Sequence, residues 1–281
     1  MYKINKSTII QLGSAFVFAL IMTLPSSGPS SIIGWIIRRI GFFADVLFHE
    51  TGHAVFAWLY GIPAAPGIMT IFGSDQAGGM TMPLGPRTWF LQIAMLVLLG
   101  WFCNNLRKVE SYYLYPFAGL FGFIAITCLT GYHHEIISYM GHGGAVFAGG
   151  VLLFMAFSNT NMRHGVERWL NAFFGMFLIL ENFFFAYELI YDAAEKLDYT
   201  THKAFGMSNN DFAQITQNIP SLSVENLAWF TISLCVSITA LAAFLAYLVD
   251  KEKKFLAMPE PFIKTGEVIK KEDEKTDFTN F

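Results

Sequence analysis

Seven apolar runs dominate this chain and leave little else for it to fold around. A helix needs about 20 residues to cross roughly 30 Å of hydrocarbon. The runs cover residues 7–24, 32–60, 88–103, 112–131, 136–157, 169–191 and 224–249. The third is short enough to require local thinning of the bilayer, and the second has room for an interfacial stretch over residues 32–40. Only 14% of side chains are charged while 54% are hydrophobic, against about 25% charged in a soluble domain. So few charges cannot cover so much apolar bulk, so lipid must solvate much of the chain. The expected fold is an all-α polytopic bundle of about seven transmembrane helices, occupying residues 1–250. Residues 251–281 alternate Lys and Glu with little apolar content and read as a solvated, disordered tail.

A net charge of −3 excludes a basic nucleic-acid binder. Cys103, Cys128 and Cys235 are odd in number and lie in or beside apolar runs, as packing residues do. No internal repeat supports a transporter built from duplicated halves. With seven spans, thirteen of the eighteen Lys and Arg fall on one side of the membrane, and the excess places the C-terminus in the cytoplasm.

Chemistry concentrates in LFHETGHAVFAWLYGIP, residues 47–63, where His49, Glu50 and His53 form HExxH. Residues four apart share a helix face, so both imidazoles can reach one Zn(II), with Glu50 beside them as general base. Random placement of seven His and thirteen Glu would produce this pattern about 0.008 times. The three ionisable groups also sit within an apolar helix, where each is costly unless paired or coordinated.

His49, Glu50, Gly52, His53 and Ala54, with Gly61 eight residues after the second histidine, make an HExGHA segment. It resembles the site-2-protease class of intramembrane metalloproteases, the M50 peptidases, and within them the M50B-like branch. The likeness is firm over about 17 residues. It implies His49 and His53 as zinc ligands, Glu50 as catalytic base, and hydrolysis of peptide bonds in membrane-associated substrates by a zinc-activated water. It further implies a bacterial inner membrane. Gly52 is expected to let a second backbone approach the metal helix closely.

That class usually draws a third ligand from an aspartate in an LDG motif, and none occurs here. Four candidates follow from position. His142, in GYHHEIISYMGHGG (residues 131–144), stands about 10 Å along its span from the same membrane face as His53, counting 1.5 Å per residue. His142 is therefore the expected third ligand. Glu181 lies among Leu and Phe in the sixth run, where a lone carboxyl must be partnered or protonated. Asp211, in the polar stretch of residues 192–222, can fold back on the site or cap a helix before Phe212. Glu135, with His133 and His134, can bind the metal or orient it from outside.

The stretch from Gly61 to Arg87 mixes β-prone runs with Gly and Pro directly after the metal helix. It is expected to form a re-entrant hairpin offering a strand edge to an unwound substrate. The absence of LDG keeps open a degenerate peptidase that binds metal without proteolysis. A polar path through His142, Glu181 and His49 would suit a transporter.

Overall fold

Each apolar run becomes a helix because, away from water, only internal hydrogen bonding satisfies the backbone. The structure, a computed structural model, describes residues 6–23, 32–68, 79–109, 114–128, 130–158, 165–201 and 210–256. These residues form α1 (Lys6–Thr23), α2 (Ile32–Leu59), β1 (Ala64–Ile68), β2 (Gly79–Pro83), α3 (Trp89–Val109) and α4 (Leu114–Thr127). There follow α5 (His133–Ser158), α6 (Gly165–Tyr191), α7 (Ala193–Thr201), α8 (Asp211–Asn218) and α9 (Val224–Leu256). Among them, His133–Ser158, Gly165–Tyr191 and Val224–Asp250 are long and apolar enough to cross a membrane, the signature of a helical membrane protein.

Helix α5 is the centre, packed against α2, α6 and α9, while α1 lies on α6 and α3 against α4. The closest approach is between α2 and α5. A Cβ on Gly144 would stand 2.6 Å from the Gly52 Cα, and one on Gly52 would run into the Met140 carbonyl oxygen. Gly52 thus admits a second backbone, as expected from the sequence, and that backbone belongs to α5. Gly52→Ala should force the helices apart at a cost of about 1–3 kcal/mol. It should lower the unfolding midpoint in detergent. The control is Gly13→Ala, where a Cβ meets nothing within 4 Å; an equal loss there would trace the effect to helix composition.

Helix α2 ends at Gly61, whose φ of 82° is open to glycine. The Gly61 N–H donates to Trp58 O at 2.9 Å and the Ile62 N–H to Ala57 O at 2.8 Å, a Schellman closure. The chain then enters the hairpin, with β1 and β2 antiparallel and Ala64 opposite Pro83 through Ile68 opposite Gly79. Its base is tied down by Arg87, whose Nε donates to Tyr60 O at 3.1 Å and whose Nη2 donates to Gln92 Oε1 at 3.1 Å. The expected hairpin tip, residues 69–78, lies outside the described residues.

Helix α9 runs on to Leu256, past the expected limit at 250, and the tail from residue 257 lies outside the described residues. The polar stretch of residues 192–222 carries α7 and α8. Helix α8 exists because Phe212, Ala213 and Ile215 recur on one side of it and are buried against the bundle, a pattern too short to register as an apolar run.

Candidate metal centre

One helical turn separates His49 from His53 on the inner face of α2, and their Nε2 atoms lie 3.1 Å apart. The His53 ring is fixed from behind, since its Nδ1 donates to the Ile137 carbonyl of α5 at 2.7 Å. Gly141 of the same helix leaves room for the pair, because a Cβ there would collide with both Nε2 atoms. The two imidazoles therefore depend on the glycine-lined crossing of α2 and α5.

Asp211 reaches them from α8. Its Oδ2 lies 3.0 Å from His49 Nε2 and 3.2 Å from His53 Nε2. It is delivered by its neighbour Phe212, fully buried in a cluster with Tyr139, Leu189 and Leu227. Phe212 packs its ring against His142 at 4.9 Å and Phe185 at 5.8 Å. Two bonds from α7 fix the approach: the Phe212 N–H donates to the Tyr199 hydroxyl at 3.2 Å, and Asn210 Nδ2 donates to Tyr199 O at 2.5 Å. Burial and the nearby Asp211 charge hold the Tyr199 hydroxyl well above the usual tyrosine pKa, so it remains protonated.

The three donor atoms thus stand 3.0–3.2 Å apart. Tetrahedral donors about 2.0–2.1 Å from Zn(II) are roughly 3.3 Å from one another, so a zinc ion fits after an expansion of a few tenths of an ångström. Two imidazoles and a carboxylate suit zinc by donor chemistry as well.

His142 also arrives, its ring 4.6 Å from that of His49. His49, His142 and Asp211 together offer donor atoms within 4.8 Å of one another and could hold a metal ion. The two remaining carboxylate candidates lie outside that group. Glu135 accepts from Asn218 Nδ2 at 3.1 Å and so clamps the far end of α8. On α6 it is Asn182, one residue after Glu181, that bonds His142.

Glu50 is buried beside the imidazoles and faces the hairpin. The Thr81 hydroxyl lies 2.7 Å from Glu50 Oε2 and 2.9 Å from Glu50 O, where it can donate to either. Gly79 passes so close that a Cβ on it would stand 2.6 Å from Glu50 Oε1. The β2 strand therefore covers and orients this carboxylate.

Three neighbours escaped the sequence reading. Thr81 carried no signal, because a threonine in a Gly-rich loop is ordinary. Asn182 could have been flagged as an amide in an apolar helix. Asp45 lies one turn before His49 and acts electrostatically on it, so its spacing was a visible cue. Comparison of the chain with protein-family models, curated proteins and solved structures yields no match.

Proposed function

We propose that this chain is a multi-pass membrane zinc peptidase of the site-2-protease kind, hydrolysing peptide bonds of membrane-associated substrates. The observation that carries the reading is the Asp211 carboxylate, set against both imidazoles of the HExxH turn with Glu50 buried alongside. His49, His53 and Asp211 would hold the metal. Zn(II), when bound, supplies a Lewis acid that polarises a carbonyl and acidifies a water.

The remaining work falls to the chain. Glu50, oriented by Thr81, takes the proton of the attacking water and returns it to the departing amine. The α2–α5 crossing and the hairpin shield this exchange from bulk water. In this reading all seven apolar helices cross the bilayer and the hairpin of β1 and β2 is re-entrant, offering its free edge to an extended substrate segment. In this reading the Lys and Arg excess would put the C-terminus in the cytoplasm, and the resemblance to site-2 proteases would make the membrane a bacterial inner one.

Elemental analysis of detergent-purified protein tests the proposal. About one zinc per chain is expected in the wild type and none in His53→Ala. Cleavage of a transmembrane peptide should stop with a chelator and return with added Zn(II). A folded wild type without zinc would sink the reading.

A further inference from the structure

If that reading holds, a role remains for His142, an imidazole at the site that does not touch Asp211 in the way His49 and His53 do. Its hydrogen-bonding state is legible. Asn182 is buried, and its Nδ2 donates to the Leu178 carbonyl at 2.9 Å. The amide is thereby turned so that Oδ1 faces His142 Nδ1 at 2.9 Å. An amide oxygen can only accept, so Nδ1 carries a hydrogen, and of the two neutral tautomers this selects the one with Nε2 as acceptor. The ring cannot swing away. It is stacked on Phe185, with centroids 4.4 Å apart and planes at 11°, and it is flanked by Phe212.

Position supplies the second half. The Asp211 carboxylate lies against His49 and His53 at 3.0 and 3.2 Å. His142 offers a donor atom within 4.8 Å of the His49 and Asp211 donor atoms, a set that could itself hold a metal ion. It therefore stands beside the donor trio, near enough to hold the metal or a molecule bound to it. A fourth protein ligand would close the site, whereas catalytic zinc sites keep a position open.

We propose that His142 is a further catalytic residue, a neutral acceptor at Nε2 held in its tautomer by Asn182, and that it positions the attacking water. A water has two O–H bonds. Glu50 takes one proton as the oxygen–carbon bond forms and gives it to the amine nitrogen as the carbon–nitrogen bond breaks. The second O–H, held by His142 Nε2, stays on the oxygen and aims the attacking lone pair; its proton leaves when the product acid ionises. Asn182 is a positioning residue acting through His142.

The test combines Co(II) titration, visible absorption of the bound Co(II), and peptide cleavage on the full chain in detergent. His142→Phe retains an aromatic ring between Phe185 and Phe212 but has no nitrogen. It should bind Co(II) with a Kd within about threefold of wild type and an unchanged spectrum, while kcat falls about 10²- to 10³-fold and KM holds. Asn182→Leu should lower kcat about tenfold or more, and Asn182→Asp, which still offers an acceptor oxygen, should restore most of it. If His142→Phe fails to fold, His142→Leu gives the same contrast. A shifted Co(II) spectrum, or affinity weakened by about 100-fold or more, would make His142 a ligand and overturn the inference. Unchanged kcat would overturn it too, as would equal loss in both Asn182 variants. A wild type that binds no Co(II) would instead fail the function proposed above.

Discussion

Glu50→Gln is expected to cut peptide cleavage by about 10²- to 10⁴-fold while leaving about one zinc per chain. Glutamine retains the length and an oxygen for the Thr81 hydroxyl, which lies 2.7 Å from Oε2, so the contact with β2 survives. What would disappear is the carboxylate that, in the proposed mechanism, takes a proton from water and returns it to the amine. Zinc should remain because the proposed donors are His49, His53 and Asp211, which Glu50 does not join. Elemental analysis beside a cleavage assay separates the outcomes. A glutamine variant that cleaves at the wild-type rate removes Glu50 as the base. One that loses both zinc and activity would mean that Glu50 holds the metal site together instead.

Asp211→Ala should abolish zinc binding, with affinity reduced by at least about 100-fold, since even residues that merely orient a ligand cost 10- to 100-fold. Its carboxylate is the contact shared by both imidazoles, and without it their two Nε2 atoms, 3.1 Å apart, are left facing each other. Glutamate should be a poor substitute, because Phe212 anchors the start of α8 and leaves no slack for a longer arm. Zinc should raise the unfolding midpoint of the wild type and leave that of Asp211→Ala unmoved, because a ligand stabilises only a fold that binds it. If Asp211→Ala retains zinc and His142→Phe loses it, the third ligand is His142, as its depth along α5 suggests.

Depth alone could not decide between these two residues. Counting residues along a helix gives height above its end, and it brought His142 to the right level, with its ring 4.6 Å from that of His49. It says nothing of which group fills the space beside the imidazoles. Asp211 fills it because eight residues with three buried side chains dock against α5, a helix too short to be stable alone. Glu181 illustrates the same point, since one step along α6 turns a residue by about 100° and brings Asn182 to His142 in its place.

The sequence by itself determined the helices and the HExxH turn. Both are local: an apolar run away from water must satisfy its own backbone, and a four-residue spacing puts two imidazoles on one face wherever the helix lies. The Gly52 opening was legible for the same reason, as a missing side chain on α2. Tertiary structure alone decided the partners of that turn. Asp211, Thr81 and Asn182 come from a short amphipathic helix, a strand and a neighbouring helix, and each reaches the site through aromatic packing or backbone pairing between segments far apart in the chain. Such contacts depend on which surfaces fit together in three dimensions, and no local pattern of residue types encodes that fit.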